Sequence, residues 1–108
     1  MLTDALRKTY LPMTETAFYI LFSLSKRRHG YAIIQNVDEL TNGRIKLGPG
    51  TLYGSLSKMK KDGLIEPVEE VSNRKIYQIT PLGLEILALE KKRIIELYEN
   101  IGGIRHEK

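Results

Sequence analysis

The stretch from Leu47 to Ile65, LGPGTLYGSLSKMKKDGLI, constrains the fold more than any other part of the chain. It reads as a helix with both ends marked. Pro49 suits a first helical position, where its missing N–H would lack an intrahelical partner anyway. Gly63 suits the left-handed residue that closes a helix. Leu52, Leu56 and Met59 recur at helical spacing and make one narrow apolar stripe. The opposite side carries Gly50, Gly54, Ser57, Lys58 and Lys61, with Tyr53 and Lys60 on one shoulder. Gly50 and Gly54 are four apart and stack on one face. Two glycines inside so short a helix cost about 1 kcal/mol each relative to alanine. Such a cost makes sense where the backbone must approach something closely, and Lys58 and Lys61 beside the smooth strip suit an anion. The major groove of DNA fits both features. Small residues admit the helix, lysines meet phosphates, and Thr51, Tyr53 and Ser57 can hydrogen-bond to base edges or nearby phosphates. The lysines alone suit an ordinary solvated face better; the glycines and the neighbouring elements favour the groove.

The chain has 108 residues, enough for one domain with one core, here taken as 1–108. A net charge of +4 is compatible with nucleic acid but does not single it out. No apolar run is long enough to span a membrane. The first residues lack the charged-then-apolar order of a signal peptide, so the expected location is the cytoplasm. The absence of cysteine removes disulfides and thiolate metal sites.

Taken in order, residues 2–10 form a short amphipathic helix, with Thr3 as cap and Leu2, Leu6 and Tyr10 four apart. A helix this short needs a partner for its apolar side. Thr14 caps the next helix, with Met13 and Phe18 placed for a hydrophobic staple. The run Ala17–Leu24 is apolar nearly all round, marking a central helix. It is expected to end in Lys26-Arg27-Arg28-His29-Gly30, where cations suit a C-terminus. Residues 30–42 form another helix with Ile33, Val37 and Leu40 inward, closed by Asn42-Gly43. Arg44–Leu47 alternates polar and apolar and predicts a very short strand. After Gly63, residues 64–71 and 74–80 predict a hairpin around Ser72-Asn73, with Pro67 at an edge position or bulge and Arg74 and Lys75 beside the turn. Thr80-Pro81 opens a long helix reaching about Asn100. Leu84, Leu87, Ile94, Tyr98 and Ile101 occupy its heptad a and d positions, with Lys91 as an interruption whose stem packs and whose charge stays wet. Leu82, Ile86 and Leu89 add a second stripe, so this helix needs two partners. Residues 104–108 read as a frayed tail.

Helix, helix, short strand, helix and hairpin is the order of a winged helix, with residues 49–61 as the recognition helix and the hairpin as the wing. The fold class expected is therefore mainly α with a small β-hairpin. The winged helix-turn-helix core covers 12–80, and the helices at 2–10 and 81–101 are set aside for dimerisation. The run Pro49-Gly50-Thr51-Leu52-Tyr53-x-x-Leu56, then Gly63-Leu64-Ile65, then Arg74-Lys75-x-Tyr77-x-Ile79-Thr80-x-x-Gly83, resembles the PadR-type transcriptional regulators. His29-Gly30-Tyr31-x-Ile33 resembles the same family at the junction of its first two core helices. The single long C-terminal helix is similar to that of the family's small subgroup. The resemblance implies a homodimeric repressor that binds double-stranded DNA; no cofactor is expected. It also implies that a planar aromatic or cationic effector can bind between subunits. Tyr98 and Ile94, with Leu6 and Tyr10 of the first helix, are the expected lining of such a cleft.

Catalysis has little to work with: His29 and His106 lie far apart in sequence, and there is no cysteine nucleophile or phosphate-cradling motif. His29 is better explained as a helix-end cap. Glu66, Glu69 and Glu70 point to different faces of a strand and read as a solvated edge, not a metal site. A winged-helix module that binds only protein remains the runner-up. Tyr31 and Tyr77 are expected to pack inside the domain, and Tyr53 to serve both the core and the DNA face.

Overall fold

Side-chain caps punctuate the chain. The structure, a computed structural model, describes residues 2–103. Thr3 Oγ1 accepts from the Leu6 N–H, Thr14 Oγ1 from Ala17, His29 Nδ1 from Ala32 and Thr80 Oγ1 from Gly83, all at 3.1–3.2 Å. These caps open α1 (Asp4–Tyr10), α2 (Glu15–Ser23), α3 (Gly30–Leu40) and α5 (Pro81–Asn100). Only α4 (Pro49–Lys61) starts without one, on Gly48 followed by Pro49. The strands are β1 (Arg28–His29), β2 (Ile65–Val71) and β3 (Arg74–Ile79).

The three strands form one antiparallel sheet in the order β1-β3-β2. The expected hairpin is present as β2 and β3, and the correction concerns the short strand, which joins the hairpin as β1. Arg28 and His29 pair with Tyr77 and Ile76 of β3, so the third strand precedes α3 instead of following it. Arg44–Leu47 forms no strand because its polar groups are satisfied elsewhere. The Ile45 N–H donates to Thr41 Oγ1 at 3.0 Å, Arg44 pairs with Glu15 and Lys46 with Asp38. The cationic run also differs from expectation: α2 stops at Ser23, and only Arg28 turns back to it, donating from Nε to the Ser23 carbonyl at 2.8 Å. Arg27 instead pairs with Glu69 of β2. The hairpin turn falls on Ser72 and Asn73, both at positive φ, and a bulge lies between Pro67 and Glu69. Proline is tolerated there because β2 is an edge strand.

The core gathers Ile20, Leu21 and Leu24 of the α2 segment, Ile33 and Val37, Leu52, Leu56 and Met59, Leu64 and Ile65, Tyr77 and Ile79, and Ile86 and Leu87. The apolar stripe read on α4 is thus fully inward. Leu40, expected inside, is half exposed beyond the last turn that α3 presents to the core. Gly83 is where α5 crosses the sheet base: a β-carbon there would lie 2.2 Å from the Leu64 carbonyl oxygen and 2.7 Å from an Ile79 side-chain carbon. Among the described residues no helix is long and apolar enough to cross a membrane. His106 and the tail at 104–108 lie outside the described residues.

Candidate nucleic-acid interface

The burial of Leu52, Leu56 and Met59 turns the other face of α4 outward. Gly50, Thr51, Tyr53, Gly54, Ser57, Lys58, Lys60 and Lys61 are all exposed. A β-carbon at Gly50 or Gly54 would meet nothing within 4 Å. The fold itself therefore does not require glycine at these positions, and the two residues leave a smooth strip on the surface. Along that strip the helix backbone can approach another surface closely.

The cations near this strip divide into two sets. Lys58 is engaged within the protomer: its Nζ is 3.3 Å from Asp62 and 5.6 Å from the centre of the Tyr10 ring. Lys60, Lys61, Arg74 and Lys75 have no salt-bridge partner among the described residues. This contrasts with Arg27, Arg44, Lys46 and Arg93, which pair with Glu69, Glu15, Asp38 and Glu90. Lys75 stands opposite Glu70 in the hairpin register without forming an ion pair with it. Of the lysines assigned to phosphate from sequence, Lys61 is thus free to serve, while Lys58 must first release Asp62.

Wing tip and recognition helix meet in a concave site of about 430 Å³ lined by His29, Gly30, Tyr31, Tyr53, Asn73, Arg74, Lys75 and Tyr77. None of these residues is acidic. Tyr77 is buried as expected, and that burial raises the pKa of its hydroxyl, with Tyr53 adding a smaller push. Tyr31, expected in the core, is 55% exposed, because the first turn of α3 directs it into this concavity. Sequence reading missed His29, Tyr31 and Asn73 as members of the surface. His29 and Tyr31 belong to the motif His29-Gly30-Tyr31 and Asn73 adjoins Arg74, but the place of that motif beside the wing depends on the unforeseen pairing of β1 with β3.

The residues assigned to dimerisation also divide. Leu87 is 1% exposed and Tyr10 6%, so both are covered within the protomer. The Tyr10 hydroxyl donates to Asp62 Oδ2 at 2.7 Å. Burial first, and then that carboxylate, raise the Tyr10 pKa; the same hydrogen bond, followed by Lys58, lowers that of Asp62. Leu2 and Leu6 are partly buried against the core. Leu84, Ile94, Tyr98 and Ile101 remain exposed, together with Ile95 and Leu97. Lys91 lies over the Phe22 ring at 5.5 Å, packing its stem on its own protomer. Tyr10 and Leu6, expected beside a cleft between subunits, pack against the core of their own protomer. A groove of about 510 Å³ runs instead between α2 and α5, lined by residues including Met13, Phe18, Tyr19, Ile94 and Ile95. Glu90, 1% exposed at the side chain, lies in its wall and is held by Arg93.

A three-helix core with a three-stranded sheet, an outward-facing third core helix and a basic hairpin tip defines a winged-helix protein of the DNA-binding type. Comparison with known proteins narrows the class. The profile of the transcriptional regulator PadR-like family matches residues 20–89. The chain belongs to this family of transcriptional regulators. It is 36% identical over 69 residues to an uncharacterized transposon protein of Streptomyces fradiae, covering 64% of this chain and only 19% of that longer protein. It is 33% identical over 82 residues to a transcriptional regulator of Mycobacterium tuberculosis, covering 72% of this chain and 74% of that protein. The crystal structure of a PadR-like regulator from Bacillus cereus shares the fold with a TM-score of 0.70 at 23% identity, covering 97% of this chain and all of the other.

Proposed function

We propose that this chain is a homodimeric, sequence-specific repressor that binds double-stranded DNA in the cytoplasm through residues 49–61 and the wing. The observation that carries this reading is the α4 surface. Its smooth Gly50–Gly54 strip has no packing role in the fold, and Lys61, Arg74 and Lys75, without salt-bridge partners among the described residues, flank it. In the groove, Thr51, Ser57 and Tyr53 reach base edges or adjacent phosphates, while Lys61, Arg74 and Lys75 neutralise backbone charge. Lys58 joins them by exchanging Asp62 for phosphate. A winged-helix module that binds only protein would have no use for unpaired cations on both sides of a smooth helix.

The dimer reading rests on α5. Leu84, Ile94, Tyr98 and Ile101, with Ile95 and Leu97, expose more apolar side chain than one helix leaves in water without a partner. A second copy covers that surface and gives a two-fold axis. The two α4 helices then enter successive major grooves, with half-sites about 34–36 Å apart. A dimer seated on a promoter blocks access to it, which is repression. An effector of the planar hydrophobic kind fits the groove between α2 and α5, where Phe18, Tyr19 and Ile94 offer apolar sides beside Glu90. Binding there changes the spacing of the α4 helices if the two spacings differ in effector affinity. A mobility-shift titration with duplex DNA over a range of salt tests the reading: affinity should fall steeply as salt rises.

A further inference from the structure

The concavity between wing and recognition helix has a chemistry more specific than a basic patch. Two donors bear on the His29 ring, the Ala32 N–H at 3.2 Å from Nδ1 and the Arg74 guanidinium beside Nε2, and a neutral imidazole has a lone pair for only one of them. Nε2 faces the Arg74 guanidinium, with 3.5 Å between His29 Nε2 and Arg74 Nη1. With the shorter contact holding that lone pair, the Arg74 N–H groups are left to donate to something else. The Tyr53 hydroxyl lies against Gly30 on the same wall, and Tyr31 and Lys75 complete the rim. The first turn of α3 begins at Gly30, so the partial positive charge of a helix N-terminus adds to the same space. Among the described residues no carboxylate lines it. Convergent donors and two cations without a carboxylate among them suit an oxyanion with several oxygens.

We propose that this pocket, formed by His29, Tyr53 and Arg74, clamps a single phosphate of the DNA backbone beside each recognition helix. The inference rests on the DNA reading above and deepens it. It gives Tyr53 a phosphate in place of a base, and it makes His29 both the cap of α3 and a DNA contact. The clamp sets how far α4 enters the groove, because the phosphate is held by the wing and by α3 at once. Gly30 belongs to the same device: without a side chain at this position, the Tyr53 ring lies down on α3 with its hydroxyl aimed into the pocket.

The test uses a duplex selected from random DNA by the wild-type protein, with single phosphates replaced one at a time by neutral methylphosphonates. One position in each half-site should weaken wild-type binding by roughly tenfold or more, the scale of a lost charge-assisted hydrogen bond. At that position Tyr53→Phe and Arg74→Ala should lose nothing further, since their partner is already gone. On unmodified duplex, Tyr53→Phe should weaken selected and random sequences by the same factor and leave the salt slope unchanged. Arg74→Ala should also lower that slope by about 0.9. Asparagine at position 29 keeps an acceptor for the Ala32 N–H, so His29→Asn should fold and behave as Tyr53→Phe does. Methylphosphonate and Tyr53→Phe losses that multiply at every position would overturn the clamp. So would a Tyr53→Phe loss confined to the selected sequence, which would make the tyrosine a base reader. Inorganic phosphate at constant ionic strength forms the second arm, read by the His29 imidazole resonances. Tight, saturable binding there, with no methylphosphonate-sensitive position in the duplex, would assign the pocket to a free phosphate compound and overturn the proposal. A wild-type protein that binds no duplex would overturn the DNA reading itself, a result distinct from wild-type binding that is indifferent to these variants.

Discussion

The Tyr53 hydroxyl lies so close to Gly30 that a β-carbon built on the glycine would be 2.4 Å away from it. The contact joins the third core helix to the start of the second. It gives a physical reason for glycine in the motif His29-Gly30-Tyr31, where the backbone conformation alone does not demand it. Gly30→Ala should keep the fold, because the atoms in conflict belong to the far end of a side chain that can swing away. Its duplex affinity should drop about tenfold, matching Tyr53→Ala, and the double variant should be no weaker than Tyr53→Ala alone. Unfolding curves and mobility shifts on the four proteins check this.

The glycines of the chain make opposite predictions elsewhere. Gly83→Ala drives a methyl group into the Leu64 carbonyl, backbone that cannot swing aside. A loss of about 1–3 kcal/mol is expected, the usual cost of overpacking. Gly50→Ala and Gly54→Ala meet open space and should stabilise the protein by up to about 1 kcal/mol through helix propensity. Thermal or urea denaturation of the three variants measures both signs.

The Tyr10–Asp62 hydrogen bond ties α1 to the end of the recognition helix and carries a pH signature. Folding lowers the Asp62 pKa from its ordinary 3.8, mainly through the Tyr10 hydroxyl. Its contribution is therefore complete above that ordinary value and is lost as pH falls through the lowered one. Folding raises the Tyr10 pKa above 10.0, mainly by burial. Its contribution is complete below pH 10 or so and is lost as pH climbs through the raised value. Tyr10→Phe should cost about 1–2 kcal/mol at neutral pH. It should also flatten the fall of stability on both the acid and alkaline sides. Denaturant midpoints across the pH range report both effects.

The α5 surface predicts assembly. Removing everything after Gly83 would strip Ile86 and Leu87 from the core, so truncation confuses folding with dimerisation. Tyr98 and Ile101 are exposed in the protomer, Ile101 at 83%. Tyr98→Asp with Ile101→Asp should therefore leave the helical signal and the unfolding of the core intact while shifting the mass in solution from dimer to monomer. Light scattering at matched concentration decides, and the monomer should bind duplex DNA at least about tenfold more weakly as the second half-site is lost.

Much of this fold was legible in the sequence because its local signals agree with one another. Thr3, Thr14 and Thr80 cap the helices they precede, Pro67 sits at a bulge on an edge strand, and Ser72-Asn73 makes the turn. The stripe Leu52–Leu56–Met59 alone is enough to orient α4 and expose its glycines. What periodicity could not show was tertiary pairing. Two residues, Arg28 and His29, carry too little pattern to announce a strand, whereas Arg44–Leu47 alternates like one but is held by Thr41, Glu15 and Asp38. The misplaced strand hid the pocket, because it is β1 pairing that brings His29 to Arg74. Heptad spacing likewise could not tell Leu87, spent on the core, from Ile94 and Tyr98, left outside it.

The central claim is that α4 enters the major groove with its glycine strip leading. Gly54→Leu tests it most directly, because position 54 faces open space and away from the buried stripe. Affinity for a duplex selected by the wild type should be measured by mobility shift, alongside circular dichroism and thermal unfolding of the same sample. The account predicts a protein that unfolds like the wild type yet no longer binds the selected duplex. A folded Gly54→Leu protein with unchanged affinity would contradict it and place some other surface in the groove.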